Sequence, residues 1–296
     1  MSVVSMQASD ERLSPLVNVE WLAANIDQPD VIVLDASWHM PNAQRDGEQE
    51  WLQARIPGAQ FFDFDRKVCD QNSHLPHMLP DVETFSREVQ KLGVNQHSRI
   101  VIYDAMGVFS GARAWWMFRV MGHDNVTVLN GGLPAWKRVG MVVESGESLA
   151  PVAGDFTATL MADWVKDTPQ VEAALADPAQ RVVDARSIER FKGLVDEPRA
   201  GLRRGGMPGA LNLPFVELHD ESAGFEAVSE LREIFAEHGL KQSDVDQPLI
   251  FSCGSGVTAC VLALAAEVAG FKQLSVYDGS WTEWGQLDSG LPVVTS

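Results

Sequence analysis

Cys253 lies in the stretch Leu249-Ile-Phe-Ser-Cys-Gly-Ser-Gly-Val-Thr-Ala-Cys260, where a short apolar run gives way to small residues. Leu249 to Phe251 reads as a buried strand. Val257 to Ala269 is almost wholly apolar and alanine-rich, a composition that favours a buried helix. The spacing therefore sets a thiol on a strand-to-helix turn, at a helix N-terminus. Successive backbone N–H groups through Gly254, Ser255 and Gly256 converge there, and the helix dipole favours negative charge at the same point. Both favour the thiolate, which is the nucleophilic form of cysteine. A structural cysteine buried at the end of a strand is the competing reading, and this stretch alone leaves it open.

Composition narrows the setting. A chain of 296 residues with 45% hydrophobic and 22% charged residues is long enough for about two soluble domains. Its net charge of −18 opposes nucleic acid and anionic membranes as partners, although a local basic pocket for a small anion is compatible with it. Three cysteines (Cys69, Cys253 and Cys260) fit neither a disulfide framework nor a metal site. That pattern suits a reducing compartment. Met1 to Asp10 carries no secretory pattern, and no apolar run reaches the roughly 20 residues of a membrane span. The expected location is cytoplasmic.

Internal repetition gives the architecture. Val31-Ile-Val-Leu-Asp35-Ala answers to Arg181-Val-Val-Asp184-Ala, and Ile56-Pro57-Gly58-Ala59 to Met207-Pro208-Gly209-Ala210. Ile100 to Asp104 answers to Pro248 to Ser252, and Asn130-Gly-Gly to Asp278-Gly-Ser. The offsets are 149 (184 − 35), 151 (208 − 57), 148 (252 − 104) and 148 (278 − 130), which is the mark of a duplicated domain. Strand candidates at Val31–Leu34, Ile100–Tyr103 and Val126–Leu129 alternate with helical patterns at Val82–Leu92 and Arg113–Met121. Such alternation predicts an α/β fold of two tandem domains, each a mostly parallel sheet with helices on both faces. Ligands of these sheets bind at the carboxyl ends of the strands, where Cys253 falls. The expected boundaries are 1–143 for the first copy, 144–163 for a linker of small and turn residues, and 164–296 for the second. At an offset of 148 Cys253 falls on Ala105 and Ser255 on Gly107, so the first copy is expected to lack the nucleophile.

Taken together, Ile56-Pro57-Gly58-Ala59, Ala114-Trp115-Trp116-Met117, Asn130-Gly131-Gly132, Asp184-Ala185-Arg186-Ser187, Pro208-Gly209 and Cys253-Gly-Ser-Gly-Val-Thr258 resemble the two-domain rhodanese-like sulfurtransferases. The resemblance spans nearly the whole chain, and the cysteine loop is its most specific part. In that family a Cys-Gly-Ser-Gly-Val-Thr loop goes with 3-mercaptopyruvate as donor, whereas the thiosulfate users carry basic residues directly after the cysteine. A cationic loop would stabilise the thiosulfate dianion; Gly254 and Ser255 are neutral. The related phosphatases close a longer loop with an arginine, and Ala259 stands where that arginine would be.

The resemblance implies a persulfide on Cys253, formed from 3-mercaptopyruvate with release of pyruvate and passed to a thiol acceptor such as thioredoxin, or to cyanide. It implies no metal and no organic cofactor. Arg190 and Arg199 match the spacing of the family's substrate arginines, and a guanidinium grips a carboxylate bidentately. Gly254, Gly256, Val257 and Thr258 complete the expected substrate loop, and Arg186 is expected to be structural. By the same resemblance Ser255 joins a triad with His77 and with an acid from the first domain, Asp65 by preference and Asp63 as rival. Thiosulfate:cyanide transfer and a carrier or regulatory module that holds a persulfide without turnover remain the alternatives. Cys260 is expected to be buried and Cys69 to lie in a polar, accessible loop, while Trp115, Trp116, Trp136, Trp281 and Trp284 read as packing residues.

Overall fold

The structure, a computed structural model, describes residues 12–295; the Met1–Asp10 stretch read for a leader lies outside them. Strands β1 (Leu16–Val17), β2 (Val31–Asp35), β3 (Gln60–Phe61), β4 (Arg99–Tyr103) and β5 (Val126–Leu129) form one sheet in the order β1-β5-β4-β2-β3. Strands β6 (Val165–Lys166), β7 (Arg181–Asp184), β8 (Leu211–Asn212), β9 (Leu249–Ser252) and β10 (Leu274–Tyr277) form a second, in the order β6-β10-β9-β7-β8. The two orders trace the same path. All paired strands within the sheets are parallel.

Successive strand residues point to opposite faces, and the apolar ones sort accordingly. Leu34, Ile100, Ile102 and Val128 enter one core with helices Val82–Lys91 and Gly111–Val120. Val31, Val33, Val101 and Tyr103 enter another with helices Val19–Asn25 and Gly132–Arg138. The second sheet repeats this, with Thr258–Ala269 and Val228–Glu237 on one side and Thr168–Ala176 and Ser280–Trp284 on the other. Every residue of Gly111–Val120 is buried, and this helix packs on Thr258–Ala269, so one core runs through both domains. At roughly 1.5–3 kcal/mol for each large apolar side chain fully buried, that shared core fixes the two halves against each other. All five tryptophans named above lie in these cores, at most 2% exposed.

The helix expected from Val257 starts at Thr258, and the one expected from Arg113 starts two residues earlier, at Gly111. Part of the expected linker is tied down. Gly154 N donates to Gln90 O, Phe156 N to Val94 O and Thr159 N to Met121 O, and Phe156 is fully buried against the first domain.

Strand register corrects the match between the halves. Asp35 pairs with Tyr103 and Asp184 with Ser252, so Tyr103 corresponds to Ser252 and Asp104 to Cys253. The strands thus give an offset of 149 (252 − 103). The helices that follow end at left-handed Gly122 and Gly270, an offset of 148 (270 − 122). The first loop is one residue longer, and the residue at the head of it is Asp104 rather than the expected Ala105.

Candidate active site

Cys253 follows β9 and is 2% exposed. The Cys253 amide donates to Ser280 Oγ (3.1 Å), its carbonyl accepts from Trp281 N (3.0 Å), and the Gly254 carbonyl accepts from Thr282 N (2.9 Å). These bonds anchor the loop and leave its amides over. Among the described residues, none of the amides from Gly254 to Ala259 donates to a protein oxygen. Uncommitted amides at a helix N-terminus are the condition for stabilising an anion. Gly256 is left-handed at φ 78°, and a Cβ there would lie 2.8 Å from Arg113 Nη1 and 2.9 Å from Asp278 O, so both backbone and space require glycine. Val257 is buried, and Thr258 opens the helix.

The three arginines of the 186–199 segment stand in different environments. Arg186 is held by Asp184 (2.7 Å) and Glu197 (2.9 Å) and lies over the Trp281 ring at 4.0 Å, a fixed structural cation. Arg190 Nη2 bonds Glu197 Oε2 at 2.6 Å and lies 3.0 Å from where a Cβ on Gly254 would be. A side chain at position 254 would therefore press on this guanidinium. Arg199 makes no ion pair with a carboxylate among the described residues; its Nη2 is 3.4 Å from His77 Nε2. Burial lowers the Arg199 pKa, with the neighbouring Cys253 pulling the other way.

His77 reaches this loop from the first domain. It is 4% exposed, sits at φ 59°, and its ring meets Trp38 and Phe64 edge-on at centroid distances of 4.8 and 5.7 Å. Burial pushes its pKa below the usual histidine range, while Asp65 beside it pulls upward. Asp65 Oδ1 is 2.5 Å from His77 Nδ1. Burial raises the Asp65 pKa, but the neighbouring His77 outweighs that and leaves it lowered. Asp63 is turned away, accepting from Arg66 N and Nε, each at 3.0 Å. Ser255 is buried two residues past Cys253, and among the described residues no hydrogen bond joins it to His77. An open cleft of about 540 Å³ beside Arg199 is walled by His74 to Pro76 of the first domain and by Thr282 and Gln286 to Asp288 of the second.

Sequence reading missed Glu197, which orients two arginines, and the buried pair Arg113–Asp278. The signal for Arg113 was present: it is a lone cation at the head of the apolar run Ala112 to Phe118. Cys260 is buried as expected, with its Sγ donating to Gly256 O (3.1 Å). Cys69 is not exposed. It is 6% accessible, Gln71 covers it, and burial pushes its thiol up to about 11.

The rhodanese-like domain family matches residues 18–139 and 167–287. The chain is 42% identical to 3-mercaptopyruvate sulfurtransferase of Escherichia coli K12, over 94% of this chain and 96% of that protein. It is 39% identical to the human 3-mercaptopyruvate sulfurtransferase, over 94% of each. Against the mitochondrial thiosulfate/3-mercaptopyruvate sulfurtransferase 1 of Arabidopsis thaliana the identity is 40%, over 91% of this chain and 76% of that one. The crystal structure of SseA, the 3-mercaptopyruvate sulfotransferase of E. coli, superposes with a TM-score of 0.81 at 40% identity, covering 92% of this chain and all of that one. Two copies of one domain, a cysteine loop in the second and this breadth of likeness agree: the chain belongs to the rhodanese-like domain family, as a two-domain sulfurtransferase.

Proposed function

We propose that this sulfurtransferase takes sulfur from 3-mercaptopyruvate, holds it as a persulfide on Cys253 and passes it to a thiol acceptor such as reduced thioredoxin, or to cyanide. The observation that carries the donor is the charge layout. The loop is neutral at Gly254 and Ser255, Arg190 lies against Gly254, and Arg199 has no carboxylate partner among the described residues. Cations set beside the nucleophile, rather than within its loop, suit a donor whose carboxylate is several bonds from its sulfur. The names of the E. coli and human relatives support the same donor. A reducing, cytoplasmic setting goes with this reading, since all three cysteines are unpaired.

The reaction balances without an added redox partner. The Cys253 thiolate forms an S–S bond to the donor sulfur as the C–S bond breaks, and its electron pair passes into the enolate of pyruvate. The hydrogen carried by the donor thiol ends on the enolate carbon, so the products are Cys253–S–S⁻ and pyruvate. His77, whose pKa burial lowers, and Ser255 serve that proton transfer, with Asp65 beside the ring fixing it. Arg190 and Arg199 bind the carboxylate and keto group. The loop amides stabilise thiolate and persulfide alike. An acceptor thiolate then attacks the outer sulfur and restores Cys253.

Intact mass after incubation with 3-mercaptopyruvate is the test. The expected result is a gain of one sulfur atom that Cys253→Ser lacks. Faster loading from thiosulfate would overturn the choice of donor, and no gain with either donor would overturn the persulfide.

A further inference from the structure

Arg113, a charged side chain of the first domain, enters the core beneath the cysteine loop and is fully buried. Its Nη1 pairs with Asp278 Oδ1 at 2.6 Å and donates to Gly256 O at 3.3 Å; its Nη2 donates to the His77 carbonyl at 2.5 Å. Asp278 Oδ2 in turn accepts from Leu79 N at 2.7 Å. One guanidinium thus ties the Gly256 end of the loop to the backbone of His77, and its counter-ion ties the residue two further on. The guanidinium also lies 4.5 Å from the Trp116 ring, which holds its plane.

The molecule contains its own control. In the reciprocal contact Phe225 N donates to Asn130 Oδ1 at 2.8 Å, so Asn130 takes the place of Asp278 and Phe225 that of Leu79. The residue matching Arg113 in the second long helix is Val261 (113 + 148), which is fully buried. Among the described residues no buried ion pair holds this turn; Asn130 and Arg138, whose Nη2 donates to Ser222 O at 3.0 Å, hold it over a loop that lacks the cysteine. The ion pair is present only where a histidine must be placed against a cysteine loop. Burying such a pair is costly in itself, so packing alone does not account for it.

We infer that Arg113, with Asp278, is a positioning residue for sulfur transfer: it sets the His77 imidazole against the Cys253 loop by holding both backbones at once. The inference rests on the reading of His77 as a participant in proton transfer.

The test is the double variant Arg113→Val/Asp278→Asn, which installs the residues that the first-domain contact already uses and leaves no unpaired buried charge. The melting temperature is expected to stay near that of the unaltered protein, while kcat with 3-mercaptopyruvate falls about 10²-fold, the usual effect of a displacement near 1 Å. KM is expected to hold within about twofold, because Arg190 and Arg199 are untouched. In a His77→Ala background the same double change is expected to cost less than about twofold more. A folded variant with unaltered kcat, a loss expressed in KM, or a loss that multiplies fully with that of His77→Ala would each overturn the inference. If His77→Ala leaves kcat unchanged, the proton-transfer role of His77 fails and the inference falls with it; additivity alongside an impaired His77→Ala condemns the inference only. Arg113→Lys is a second check. It keeps the charge opposite Asp278 without the fork that spans both carbonyls, so it should fold normally and stay slow.

Discussion

The loop after β4 and the loop after β9 share a backbone plan and differ in what sits at their heads. In the first domain the Asp104 carboxylate accepts from the amides of Met106 (2.8 Å), Gly107 (3.0 Å), Phe109 (2.8 Å) and Gly111 (2.8 Å). That loop is an anion nest satisfied by its own side chain. In the second domain Cys253 holds the same register position, and the corresponding amides serve no protein oxygen among the described residues. The covering turns match in conformation. Ala223 at φ 62°, its carbonyl accepting from Val108 N, caps the first loop, and His77 at φ 59°, its carbonyl accepting from Arg113 Nη2, stands over the second. Binding capacity for an anion is thus a property of the turn, and a single side chain decides whether the turn consumes it or leaves it available.

Exchanging the heads tests this most severely. Cys253→Asp should lower sulfur transfer on the order of 10⁴-fold or more, as loss of a nucleophile does. It should nonetheless melt above Cys253→Ala, by about 1–3 kcal/mol in stability, because a carboxylate already fits this nest in the first domain. Calorimetry of the two variants decides; an aspartate variant less stable than the alanine one would break the correspondence. A smaller effect is expected from Asp65→Asn, with kcat falling by roughly 10². Burial holds His77 below the usual histidine range and Asp65 opposes it, so removing the charge leaves burial unopposed. The acid limb of the kcat/KM profile should then move to lower pH, and a move upward would show that Asp65 does not act on this histidine. Asp104→Ala should spare kcat and act on stability, by roughly 3 kcal/mol for the stranded amides, measured by denaturant unfolding. A loss of activity with unchanged stability would mean that the first loop takes part in the chemistry.

Much of this was legible in the residues. Short continuous apolar runs gave four core strands to within a residue, because each of these strands is apolar on both faces. The cysteine turn stood out because small residues between a strand and an apolar helix leave few other folds. The match of Cys253 to Ala105 failed since a constant offset cannot register the extra residue in the first loop, although the 149 between Asp35 and Asp184 already carried the strand offset. Asp104 as a nest filler and Glu197 as a two-arginine brace depend on side-chain direction, which spacing does not encode. Which of Asp63 and Asp65 meets His77 was equally a matter of which way each carboxylate turns: Arg66 takes the first.

Each half lends a turn to the other's loop, His77 outward from the first and Ala223 outward from the second. That reciprocity is the geometry of an isologous pair of subunits, drawn here within one polypeptide. In a true symmetric dimer every substitution appears twice, and both sites must accept it. Covalent fusion removes that restriction: one half can spend its sequence on a cysteine loop and the other on the histidine turn that covers it, and neither must be able to do both.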